Sequence, residues 1–190
     1  MFAMRFGIFL FALLLPLAAQ AQTPAAPKPA PAKPLDTLFN DLKSAQTEQD
    51  AKAIGDRIEK LFQQSGSPSI DLLMNRANVA LAASDNDTAR KLVNTVTQVA
   101  PDFAEGWRTL AGMQASSGDD EGAMLSLGRT VTLNPRHYAA MMELAEMFES
   151  YGNKAGALKL YRQALAVNPH LDAAKSRIHA LAREVEGQGI

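Results

Sequence analysis

No cysteine occurs anywhere in the 190 residues. That excludes disulfides, thiolate metal sites, a cysteine nucleophile and a lipidated cysteine. Histidine is scarce: His137, His170 and His179 are the full set. None has the HExxH spacing, and the chain carries neither a glycine-rich phosphate loop nor a G-x-S-x-G elbow. His137 and His170 follow prolines in what read as surface loops, where a polar residue is unremarkable. An excess of one charge is also missing. The net charge is −1, so nothing points to nucleic acid or to an anionic membrane. Past the N-terminal run, no segment is apolar enough to span a bilayer. These absences argue against an enzyme. No catalytic, cofactor-binding or metal-ligating residue is assigned.

Hydrophobic residues make up 47% and charged residues 21%, a globular balance that rules against wholesale disorder. The chain begins MFAMRFGIFLFALLLPLAAQAQ. Arg5 supplies a short positive start, an apolar run follows, and Ala19-Gln20-Ala21 presents small residues where a signal peptidase reads. Residues 1–21 read as a signal peptide cleaved after Ala21, which predicts a periplasmic or secreted protein. The competing reading is a retained anchor. From Phe6 to Ala19 there are 14 residues, fewer than the roughly 18–20 needed to cross a bilayer. Residues 22–34 hold half of the ten prolines and read as an extended, semi-rigid linker. Such a linker serves either as a tether or as a plain leader.

The remaining punctuation is periodic. Pro101, Pro135 and Pro169 recur 34 residues apart, as do Ala89, Ala123 and Ala157, and Ala77, Ala111 and Ala145. Three coincident registers predict a repeat of helical hairpins. In the second period, Trp107, Leu110, Ala111 and Gln114 follow helical spacing and give a largely apolar face. Gly118 stands where a helix end wants a left-handed residue, and Asp119 suits the next N-cap. Ala123, Leu127 and Thr130 stripe the second helix, and Asn134-Pro135 ends it. Met141, Leu144, Ala145, Phe148, Ala157, Tyr161 and Ala164 repeat the scheme, as do Leu73, Ala77, Ala80, Ala89, Val93 and Val96. Asp85-Asn86-Asp87 lacks the glycine and distal glutamate of a calcium loop, and reads as turn and N-cap.

Trp107-x-x-Leu110-Ala111, Ala123-x-x-x-Leu127 and Pro135 resemble the tetratricopeptide repeat, W-x₂-L-G-x₂-Y then A-x₃-F then P. Met141-x-x-Leu144-Ala145-x-x-Phe148, Ala157-x-x-x-Tyr161 and Pro169 match it too. In the first period Arg76 stands in place of leucine, and Ala80 and Val93 in place of aromatics. VAPDFAEGW and EVEGQGI look like small exported bacterial proteins of this family. The resemblance implies an all-α, right-handed superhelical solenoid of antiparallel helix hairpins with a C-terminal capping helix. Repeats are expected at 70–103, 104–137 and 138–171, with a capping helix and tail at 172–190. Residues 35–69 read as a degenerate, longer helix pair outside the register, with Thr47 and Asp50 as a capping box.

The family binds extended peptides or helices on a concave face lined by the first helix of each repeat. Carried over, that face comprises Met74, Asn78, Arg108, Gly112, Met142, Glu146 and Glu149, with soft apolar spots and an acidic end. The lysine of a carboxylate clamp is missing at Met74, so chaperone-tail binding is not expected. The expected role is an exported, non-enzymatic adaptor with a protein or peptide partner. The alternative is a scaffold or self-assembling subunit of an envelope complex. If Trp107 is core, Trp107→Ala is expected to cost about 3–5 kcal/mol.

Overall fold

A computed structural model describes residues 35–187, so the signal-peptide and linker assignments lie outside the described residues. The described residues form helices and no strands. α1 (Leu35–Ser44) and α2 (Glu48–Phe62) form a first pair. α3 (Pro68–Ala82) with α4 (Asn86–Val99), α5 (Ala104–Ser116) with α6 (Asp120–Leu133), and α7 (Tyr138–Ser150) with α8 (Lys154–Val167) are three hairpins. α9 (Asp172–Val185) closes the stack against α8. The all-α solenoid of helix hairpins is thus the architecture observed.

The 34-residue register has a mechanical basis. Ala77, Ala111, Ala145, Ala89, Ala123 and Ala157 are all buried to 1% exposure or less. They are the points where helices approach, and only small side chains allow axes within about 8–10 Å. Each hairpin turns through the same device. The second residue after the first helix takes positive φ: Ser84 at 61°, Gly118 at 79° and Gly152 at 77°. The next amide, of Asp85, Asp119 or Asn153, donates back to the carbonyl of Ala80, Gln114 or Phe148. Those same three side chains then cap α4, α6 and α8 by accepting from the amides of Thr88, Gly122 and Gly156. Between repeats, Asn134 and Asn168 accept from the amides of Arg136 and His170, bridging each proline.

Trp107 differs from the expectation of a core residue. It is partly buried, belongs to none of the apolar clusters, and its ring N–H donates to Pro101 O at 3.0 Å.

The α1–α2 pair does not continue the stack. Thr47 caps α2 as expected, accepting from Asp50 N at 3.0 Å. Yet no α1 or α2 side chain joins the apolar clusters around α3, formed by Ile70, Met74, Val96 and Phe103 and by Ala77, Ala80, Ala89, Val93 and Met113. Instead Leu38, Phe39, Leu42 and Ile58 pack with Tyr138, Met141 and Ala164 of α7 and α8. One flank of α3 is left bare as a result. Leu72 and Val79 are 51% and 63% exposed. Their counterparts one repeat later are Gly106, packed against Val96, and Met113, which is buried.

Candidate functional site on the inner helix face

The repeat register carries Met74, Arg108 and Met142 to equivalent points on α3, α5 and α7, and Asn78, Gly112 and Glu146 one turn further on. The structure does not gather them into one site. Arg108 and Gly112 border a cleft of about 480 Å³, together with Leu81, Arg90, Thr109 and Met113. Asn78 borders a second, of about 250 Å³, with Asp71, Asn75 and Thr109. Met142, Glu146 and Glu149 border a third, of about 440 Å³, between α7 and α9.

Three of these residues are less available than the sequence suggests. Met74 is 6% exposed and packs with Ile70, Val96 and Phe103, so it is chiefly core. Met142 packs against the α1–α2 cluster. Glu149 is committed to joining helices: it accepts from Tyr161 Oη at 3.2 Å and from Arg177 Nε at 3.0 Å.

The most elaborate constellation is a polar centre where α2 meets α5 and α7. His137 caps α7, its Nδ1 accepting from Ala140 N at 3.3 Å. That places the ring proton on Nε2, which donates to Glu105 Oε2 at 3.1 Å. Arg108 donates to Glu105 Oε1 at 3.2 Å and, through its Nη2, to Glu143 Oε1 at 2.6 Å. Glu59 of α2 stands 3.8 Å from the same guanidinium. Its Oε1 is buried and makes no hydrogen bond. Burial holds the Glu59 carboxyl above its ordinary range, and Glu105 and Glu143 add to the effect against the pull of His137 and Arg108. Burial likewise raises the Tyr138 phenol, with Glu59 and Asp56 contributing.

The centre was hidden in the sequence. His137 is fully buried, not a surface loop residue, and His170 Nε2 meets Leu42 O at 2.9 Å. Glu59, Glu105 and Glu143 lie far apart in the chain, and each looks like a solvated helical glutamate. The one available signal was that both histidines lie within two residues of a repeat-ending proline.

Among the described residues, no group of three or more metal-ligating side chains forms, and no helix is long and apolar enough to cross a membrane.

Comparison with known proteins matches this geometry. The tetratricopeptide repeat profile fits residues 74–132 and 125–176, more than half of the chain. A TPR repeat-containing protein of Rhizobium etli is 29% identical over 158 residues, spanning 83% of this chain and 78% of that protein. The crystal structure of MamA protein superposes with a TM-score of 0.54 at 15% identity, over 82% of this chain and 81% of that one. The Yersinia enterocolitica type III secretion chaperone SycD, in complex with a peptide of the translocator YopD, superposes with a TM-score of 0.54 at 13% identity. That match spans 65% of this chain and 97% of that one. At such identities the likeness to the solved structures shows the fold.

Proposed function

The chain belongs to the tetratricopeptide repeat family, and from that premise we propose that it is a non-enzymatic adaptor holding a peptide or helical segment of a protein partner on its inner, concave face. The carrying observation is the cleft of about 480 Å³ on α5. It combines both charge signs, Arg90 and Arg108 with Glu105 and Glu143, and the apolar Leu81 and Met113. Pockets of roughly 300–1,000 Å³ that pair apolar walls with a few placed polar groups suit ligands. That SycD is seen with a peptide of YopD supports the same use of this fold. The N-terminal apolar run supports export, and with it a role in the cell envelope.

A photo-crosslinking amino acid tests this. Gly112 faces open space and Asn78 is exposed, so both tolerate replacement. Thr132 of α6 is exposed and serves as the outer control. Adducts with one partner from the native envelope fraction at residues 78 and 112, and none at 132, are expected. Adducts confined to 132 would overturn the concave-face reading.

The bare flank of α3 favours a second reading, a self-assembling scaffold. Leu72 and Val79 occupy places that are covered in the following repeat. Light scattering tests it: a dimer that Leu72→Asp with Val79→Asp reduces to monomer supports assembly, and a monomeric native chain rejects it.

A further inference from the structure

We infer that the surface now covered by α1–α2 is a receptor for a short amphipathic helix of a protein partner, and that α1–α2 is its displaceable resident. The inference rests on the adaptor reading and specifies the partner.

α1 is held as a bound helix is held, at both ends and along one stripe. At its first turn, Asp36 pairs with Arg136 at 2.6 Å. The Arg136 guanidinium also lies over the Phe39 ring, 4.5 Å from its centroid. Leu38, Phe39 and Leu42 give the stripe, three or four residues apart, that meets Tyr138, Met141 and Ala164. At the far end, His170 Nε2 approaches Leu42 O at 2.9 Å, a last-turn carbonyl whose other contact is a long bond from Ala45 N at 3.4 Å. Arg136 and His170 follow repeat-ending prolines, so the solenoid itself supplies the clamp. The fitting ligand is a helix of about three turns with a carboxylate in its first turn, a Leu–Phe stripe and a last-turn carbonyl open to the imidazole.

Two features mark the resident as removable. It shares no apolar cluster with α3, so its departure does not unpack the first repeat. Its second helix also fits poorly: Glu59 faces Glu105 and Glu143, with one buried oxygen unpaired.

The test uses the full chain and, as probe, a fluorescein-labelled peptide with the sequence of residues 35–62. Phe39→Ala with Leu42→Ala loosens the resident in cis and leaves Arg136, Tyr138, Met141 and His170 intact. The peptide should bind this variant at least about tenfold tighter than the native chain, because the native receptor is occupied. Adding Arg136→Glu should abolish that gain. Hydrogen exchange should quicken in α1 and α2 while α3–α9 stay protected. Equal peptide affinity for both chains, or collapse of protection in α3–α9 together with α1–α2, would overturn the inference. Asp36→Lys changes only an exposed ion pair and covers the case in which the double variant fails to fold. It should give a gain of about threefold, and no gain counts against the inference. Crosslinks at residues 78 and 112 report on clefts whose walls include none of Arg136, Tyr138, Met141 and His170. If they fail while the peptide binds, the partner-holding role of those clefts falls and the receptor stands.

Discussion

Glu59→Gln should make the protein more stable at pH 8. The reason is a count of charges around one guanidinium. Arg108 holds Glu143 at 2.6 Å and Glu105 at 3.2 Å, and Glu59 stands off at 3.8 Å. From Glu59, the guanidinium and its two closer carboxylates amount to one net negative charge. His137 and Tyr138 face it from α7 and its N-terminal loop, His137 drawing the carboxyl pKa down, and Asp56 lies on its own helix; the buried Oε1 itself has no hydrogen-bond partner. Burial and like charge raise its pKa above 4.5. The sign follows. Below about 4.5 Glu59 is protonated in both folded and unfolded chains, and it contributes no pH dependence. As pH rises from there through the folded pKa, the unfolded chain ionises first and folded stability falls. Above the folded pKa the loss is complete and constant. Each unit of elevation corresponds to about 1.4 kcal/mol. Glutamine keeps the shape and removes the charge. The expected gain is present at pH 8 and vanishes near pH 4. Urea unfolding followed by circular dichroism at pH 4, 6 and 8 measures it. A loss at pH 8 would mean that the attraction to His137 and Arg108 outweighs burial, and the reasoning fails.

Four further outcomes follow from the packing. Ser84→Gly should raise stability by about 0.5–1 kcal/mol, because Ser84 holds a φ of 61° where the next two repeats place glycine; a lower thermal midpoint would contradict this. Ala157→Leu should cost about 1–3 kcal/mol by wedging α7 from α8, and a neutral urea midpoint would show that the contact has slack. Glu149→Lys should loosen α9 by about 1 kcal/mol, since it loses Tyr161 and Arg177, while Glu146→Lys on the exposed surface should stay within about 0.5 kcal/mol; hydrogen exchange in α9 separates the two. Trp107→Ala should cost about 2 kcal/mol, below a core tryptophan, because the ring is only partly buried and bonded to Pro101 O; a urea-derived loss above about 4 kcal/mol would restore it to the core.

The repeats were legible because each signal is local and comes three times. A buried alanine, a left-handed turn residue, an acidic or amide N-cap and a proline stop each act within a few residues of their own position. Their coincidence at one period leaves little freedom. The inner-face residues were legible only as positions. Register located Met74, Arg108 and Met142 on equivalent turns, but it carried no information about what would cover them. Met74 sinks into the core with Phe103, Met142 is taken up by the α1–α2 cluster, and Arg108 is engaged by three glutamates from three helices. Such contacts join residues up to a hundred or more positions apart, and no periodic pattern encodes them.

The placement of α1–α2 shows where local reasoning stops and what it still offers. The connections that stack one repeat on the next are residues 100–103, 134–137 and 168–171, each four long with proline second. The connection from α2 to α3 is residues 63–67, one longer, with Gly66 at φ 80° and proline displaced to the first position of α3. A stacking connection must return the chain at a fixed angle, and a proline in second place sets that angle, bridged by asparagine in the last two connections. The α2–α3 connection lacks both. It is held instead by Ser65, whose hydroxyl and amide donate to Asp71 Oδ1 at 2.6 and 2.8 Å. A pair with an amphipathic stripe and no stacking geometry must bury that stripe elsewhere. The first turns of α7, with Tyr138 and Met141 as floor and Arg136 and His170 as end clamps, are where it goes. Swapping residues 63–67 for the four-residue Asn-Pro connection of residues 134–137 should therefore move the pair onto Leu72 and Val79. Slowed exchange in α3 and quickened exchange around Tyr138 are expected. Unchanged protection at both places would show that the stripe of α1, and not the connection, decides where the pair lies.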